Sequence, residues 1–192
     1  MTLREYWEIL RRSWLLIIAT TVVGTLAALG LSLLMTPSYQ AQSQLFVSVQ
    51  SARIADAYTS GLYVQQRIES YVPLIDTPGV LDPVIAELNL DTTSTQLADQ
   101  VAAQNPTGTV LLNVVVSDGD PAQAARIADA TAESLAKEII RLETTNSGAK
   151  PVNAELIRPA QIPAAPVSPR TQLNLVLGAL LGLMVGVGIA IL

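Results

Sequence analysis

Polar and apolar positions along the chain fall into three regimes. From Trp14 to Met35 there are 22 residues without a charge, and a second uncharged run of 22 extends from Thr171 to Leu192. At the helical rise, each run reaches ~33 Å, enough for a hydrocarbon core of roughly 30 Å. The pattern predicts a transmembrane helix over residues 14–35 and another over 171–192. Arg4, Arg11 and Arg12 before the first run also suit a signal peptide. Such a peptide has a core of about 7 to 15 residues and a small-residue cleavage site. The first run is longer, and Met35-Thr36-Pro37-Ser38 is a poor site, so the reading is a retained span.

Between the runs the pattern is that of a soluble domain, residues 36–158. Tyr39 to Gln50 alternates with period two: Tyr39, Ala41, Leu45, Val47 and Val49 share one face, and Gln40, Gln42, Gln44, Ser48 and Gln50 the other. This predicts a half-buried strand. Thr109 to Ser117 is rich in β-branched residues and predicts a more central strand, and Asn153 to Arg158 a third. Tyr58, Leu62, Ile68, Val72 and Ile75 lie at helical spacing over residues 57–75, and a short helix follows over 79–88, with a restart possible at Pro83. Thr93 and Gln96 form a candidate capping box for a helix through Gln104. Asp120-Pro121 supplies an N-cap and first-turn proline for a long helix to about Glu143, with Glu133 and Lys137 as an i,i+4 pair. The predicted fold is an α+β domain between two transmembrane α-helices.

Charge orients this arrangement. Arg4, Arg11 and Arg12 precede the first span, so the positive-inside rule places residues 1–13 in the cytoplasm and the central domain outside, in the plasma (inner) membrane. Removing those three cations and the two acids Glu5 and Glu8 from totals of 11 and 16 leaves 8 and 14, a charge of −6 on the outer part. With a pI near 4.6, nucleic acid is excluded as the main partner. Trp7 and Trp14, with Tyr6 and Tyr39, sit at the predicted ends of the first span, where amphipathic rings favour the headgroups.

The chain has no cysteine and no histidine, which removes Cys and His nucleophiles, thiolate or imidazole metal sites and disulfides. It has no GxxxxGK[ST] loop for phosphates. No catalytic, cofactor or metal residues are assigned, and no enzyme activity is expected. Asp118, Asp120, Asp76 and Asp82 read as helix caps or turn residues rather than paired catalytic carboxylates. Arg53, Arg67, Arg126, Lys137 and Arg141 are scattered over an acidic domain and read as solvated surface, with contact to an anionic glycan as the alternative.

Two further patterns concern geometry. Gly178, Gly182 and Gly186 recur every four residues in the second span and mark one helix face; Gly24 and Ala28 repeat this weakly in the first. Such a face admits another helix backbone, although glycine is common in membrane helices anyway. Residues 159–170 contain Pro159, Pro163, Pro166 and Pro169, which predicts an extended, stiff strut. A plain linker and a device that sets how the outer domain stands on the bilayer demand the same conformation.

In sequence order these pieces resemble the chain-length determinant family, the Wzz-type polysaccharide co-polymerases, and the membrane module of bacterial tyrosine autokinases of capsule or exopolysaccharide synthesis. The resemblance is carried by Leu3-Arg4-Glu5-Tyr6-Trp7, by Tyr39 to Val49, by Asp120-Pro121-Ala122-Gln123-Ala124-Ala125-Arg126-Ile127-Ala128, and by Pro159 to Pro169 leading into Gly178 to Gly188. It implies a non-catalytic membrane regulator of polysaccharide chain length and export that assembles with itself into a ring. It also implies a polysaccharide polymerase and a cytoplasmic tyrosine kinase, fused after Leu192 or separate, as partners, and a regulatory role for Pro159, Pro163, Pro166 and Pro169; the polysaccharide itself is a further candidate partner, with direct contact left open. The absence of long coiled-coil helices looks like the compact Gram-positive type. The same two-span layout also fits the membrane module of a ligand sensor whose signalling domain lies beyond the chain.

Overall fold

A computed structural model describes residues 12–49, 67–146 and 152–191. The chain divides into two compact units: residues up to Pro37 together with Val167–Leu192, and Ser38–Pro166.

The first unit holds α1 (Trp14–Leu34) and the last helix, Thr171–Ile191, both long and apolar enough to cross a membrane. Thr20, Thr21 and Thr25 do not interrupt α1, because each hydroxyl donates to a backbone carbonyl in the preceding turn. Thr21 Oγ1 reaches Ile17 O at 2.7 Å and Thr25 Oγ1 reaches Thr21 O at 2.8 Å. A hydroxyl satisfied this way carries no unpaired donor into lipid. The helix stops at Met35, in extended conformation, two residues before Pro37, which disfavours helical geometry at Thr36.

The second unit is the α+β domain. Its strands are β1 (Tyr39–Val49), β2 (Val101–Gln104), β3 (Leu111–Asp118) and β4 (Val152–Arg158), all paired antiparallel in the order β2-β3-β1-β4. Its helical elements are a 3-10 helix (Val72–Asp76), α2 (Pro78–Leu88), α3 (Ser94–Ala98) and the long α4 (Pro121–Asn146); the membrane helix Thr171–Ile191 is then α5.

The alternation in β1 decides which face is buried. Ala41, Leu45 and Val47 point into the core with Leu112, Val114 and Val116 of β3, their register partners being Val116 for Ala41 and Leu112 for Leu45. Helix α4 lies across this face. Its small residues Ala124, Ala128 and Ala132 are fully buried, which allows close approach to the sheet, and Leu135 and Ile139 fill the space beyond. A second helical layer, with Val80, Leu81 and Val84 of α2, packs on α4, where Ser134 Oγ donates to Val80 O at 2.7 Å.

Several predicted elements differ from those observed. The capping box at Thr93 and Gln96 forms, with Gln96 N–H donating to Thr93 Oγ1 and Thr93 N–H to Gln96 Oε1, but α3 ends at Ala98 instead of continuing to Gln104. Val101–Gln104 is the edge strand β2, because Val101 and Ala103 pair with Val116 and Val114 and extend the buried sheet face. That pairing outweighs the local helical preference. Pro83 lies inside α2 rather than restarting it. Ion pairing on α4 joins Glu138 and Arg141 at 2.6 Å, at i,i+3 spacing, in place of the expected i,i+4 pair Glu133 and Lys137. The predicted helix over 57–75 falls partly outside the described residues. Residues 67–71 are helical, and from Val72 the chain tightens to the 3-10 form.

Candidate functional site

The glycine face of α5 is buried within the first unit. Gly178, Gly182 and Gly186 are its buried residues, and they meet α1. A Cβ added at Gly178 would lie 2.5 Å from Ala28 Cβ and 2.7 Å from Gly24 O; at Gly182 it would lie 2.5 Å from Thr20 O and 2.8 Å from Thr21 Cα. At Gly186 it would collide with Thr20 Oγ1. The reciprocal position Gly24 approaches Gly178 O in the same way, at 2.6 Å. Since most of these neighbours are backbone atoms, no rotamer change can make room. One polar contact joins the helices: Asn174 Nδ2 donates to Ser32 Oγ at 2.8 Å, and Ser32 is buried. The sequence reading passed over this pair, although a polar residue in each uncharged run was the available signal. Beside it a groove of about 470 Å³ is lined by Gly24, Ala28, Leu31, Asn174, Gly178 and Leu181 among others.

In the α+β unit one carboxylate ties three segments together. Asp129 Oδ1 on α4 accepts from Ser43 Oγ at 2.6 Å and from the Ala160 backbone N–H at 2.7 Å. Ser43 is the polar exception on the buried side of β1 and is wholly inaccessible, so it requires such a partner. Ala160, the first residue after Pro159, packs partly against the core. The proline-rich segment therefore begins docked on the domain, and the compact unit extends to Pro166. Pro159 and Pro166 are exposed, Pro163 and Pro169 partly so.

Where this segment leaves β4 it forms a cavity of about 440 Å³ with the other side of the sheet, lined by Gln42, Gln44, Arg158, Pro159 and Gln161. A register shift at Gln44/Leu45 pairs Gln44 with Arg158. Gln44 Nε2 donates to Asn113 Oδ1 across the strands at 2.8 Å, which orients its amide. Phe46, the next residue on that side of β1, is 39% exposed.

Several other charged groups serve structure. The buried Glu143 near the end of α4 accepts from Tyr71 Oη at 3.1 Å and pairs with Arg67 at 3.0 Å, fastening the 67–76 segment to α4. Asp120 Oδ1 caps α4 by accepting from Ala122 N–H at 2.8 Å, and Asp118 Oδ1 accepts from Asp120 N–H at 2.8 Å. The Glu138 carboxyl is held below its ordinary value chiefly by hydrogen bonds from Arg141, against the opposing pull of desolvation. Among the described residues no group of three or more Asp or Glu is arranged to hold a metal ion. Arg12 is exposed just before α1, whereas Arg4, Arg11 and Arg53 lie outside the described residues.

Comparison with known proteins gives this arrangement a family context. The model of the chain length determinant protein family, Wzz, matches residues 1–88. The chain is similar to the Wzz chain-length determinants. It is 27% identical over 195 residues to a probable capsular polysaccharide biosynthesis protein of Bacillus subtilis (strain 168), covering 100% of this chain and 76% of that one. It is 25% identical over 190 residues to the capsular polysaccharide type 8 biosynthesis protein of Staphylococcus aureus, covering 96% and 82%. A capsular polysaccharide biosynthesis protein of Streptococcus pneumoniae is 31% identical over 120 residues, covering 62% and 48%. Among solved structures, a full-length bacterial polysaccharide co-polymerase superposes with a TM-score of 0.57 over 99% of this chain and 96% of that chain, at 11% identity. At that identity the two share a fold, and the shared fold includes both apolar helices of this Wzz-like chain.

Proposed function

We propose that this protein is a non-catalytic, oligomeric membrane regulator of the length and export of a capsular or exopolysaccharide. The observation that carries the reading is the order of parts: an apolar helix, an α+β domain, a proline-rich segment and a second apolar helix, in a co-polymerase fold spanning 99% of the chain. The capsular relatives supply the class of polymer. The domain stands outside the plasma membrane, with the arginine-rich N-terminus in the cytoplasm. Copies assemble into a ring, and the regulator works with a membrane polymerase and a cytoplasmic tyrosine kinase. Pro159, Pro163, Pro166 and Pro169 transmit the geometry of the outer domain to the second span. The absence of His and Cys from the sequence agrees with a regulator that holds partners and polymer rather than one that breaks bonds.

The test is the size distribution of surface polysaccharide from cells with and without this gene, and from deletion cells complemented with residues 1–192. A distribution that changes on deletion and returns with the 192-residue chain is the expected result. No change on deletion would overturn the reading.

A further inference from the structure

We infer that the cavity bounded by Gln42, Gln44, Arg158, Pro159 and Gln161 is a binding site for a segment of an acidic polysaccharide, so that the regulator touches the polymer beside its own proline-rich segment. The inference rests on the proposed role in polysaccharide length control. The lining consists of three carboxamides, one guanidinium and one proline ring. Each carboxamide offers both a donor and an acceptor, the combination that paired sugar hydroxyls require. The Gln42, Arg158 and Gln161 side chains have no hydrogen-bond or ion-pair partner among the described residues, while Gln44 spends one amide hydrogen on Asn113 and keeps its carbonyl. These groups are exposed or half-exposed and border one space, and the Gln44 amide is held in place by Asn113.

Charge selects among hydroxyl-rich ligands. The chain outside the first span and its N-terminus carries −6, yet the cavity lining contains Arg158 and no carboxylate. A planar guanidinium matches a carboxylate or phosphate substituent in bidentate fashion, so one anionic sugar sits at Arg158 while its neighbours contact the glutamines. Phe46, exposed on the same side of β1 just past Gln44, offers a flat apolar surface to the C–H face of a further ring, and the exposed Glu155, its partner across β1 and β4, confines an anionic substituent to the Arg158 end.

The site also adjoins the anchored start of the proline-rich segment. Pro159 and Gln161 flank Ala160, whose N–H is held by Asp129. Polymer in the cavity therefore contacts both sides of the point at which the proline-rich segment is anchored.

The experiment uses the full chain in nanodiscs and, as probe, size-fractionated surface polysaccharide purified from the cells that carry the gene, with dextran as the uncharged control. Wild-type protein is expected to bind the native fragments and to lose affinity as salt rises. Gln42→Ala and Gln161→Ala each weaken binding about five- to tenfold, the effect of about one net hydrogen bond. Arg158→Gln abolishes the preference for native fragments over dextran and flattens the salt dependence. Unchanged melting temperatures and oligomer size show that the variants fold and assemble. No binding by wild-type protein at ~1 mM fragment, the weak end of specific recognition, overturns the inference. Binding of the native fragments by Arg158→Gln and Gln42→Ala as tight as that of the wild type also overturns it, as does a change in oligomer size, which would make the cavity a contact between copies. The proposed function fails separately: it falls if gene deletion leaves polymer length unaltered, whatever the nanodisc result.

Discussion

Asp129 shows how one side chain can hold a domain and its outgoing segment at once. Because Ser43 Oγ and the Ala160 N–H share its Oδ1 atom, Asp129→Ala strands a fully buried hydroxyl and releases the start of the proline-rich segment. The expected loss is about 2 kcal/mol, typical of hydrogen bonds to a charged acceptor, with faster amide exchange at Ala160; urea unfolding and hydrogen exchange measure both. Thr131 presents the opposite case, since its Oγ1 is buried without a partner among the described residues. Thr131→Val is therefore expected to stabilise the domain by about 1 kcal/mol, by removing a desolvated hydroxyl while keeping its shape, and a rise in melting temperature checks it. Glu138 gives the domain a small acid sensitivity. Its folded pKa lies below the ordinary 4.5, so the stabilisation is complete well above that value and is lost as pH falls through 4.5 toward the lower folded value. Glu138→Gln should flatten this part of the stability–pH curve. The capping role of Asp120 was legible from its place before Pro121, a local signal. The roles of Ser43 and Asp129 were not, because the two residues are 86 positions apart.

Among the elements, the apolar runs and the alternation of β1 were readable because each is a repeat within one short window. The same reasoning missed β2. Four residues cannot display a period, and Val101–Gln104 becomes a strand only because β3 offers it an edge. The glycine face of α5 was visible as a spacing, whereas only the fold shows that its neighbour is α1 of the same chain. Gly182→Leu places a side chain against Thr20 O and Thr21 Cα and is expected to splay the two helices. The measurement follows from the cysteine-free sequence. A Ser32→Cys/Asn174→Cys pair, at the observed hydrogen-bonding contact, should be joined by a short bifunctional thiol reagent, and adding Gly182→Leu should slow that cross-linking severalfold. An unchanged rate would mean the glycine contact does not hold the helices.

For the molecule as a whole, the proline-rich segment is where folding and proposed function meet. It is docked at Ala160 and passes from the α+β unit to the helical unit between Pro166 and Val167. Replacing Pro163 and Pro166 by Ala leaves the core untouched, so the melting temperature of the domain should hold while the polymer size distribution shifts. A normal distribution in such cells would reduce the segment to a connector. The sequence alone determined the two spans, the α+β class, the lack of Cys and His chemistry and the position of the prolines, because each depends on composition or on neighbours within a few turns. Tertiary structure decided the rest: the sheet order, the pairing of the glycine face with Gly24 and Ala28, the Asp129 junction, and the gathering of Gln42, Gln44, Arg158 and Gln161 around one cavity. Those features depend on which distant segments pack together, and that choice is made by burying the alternating face of β1 under α4, a contact that no local window of the sequence contains.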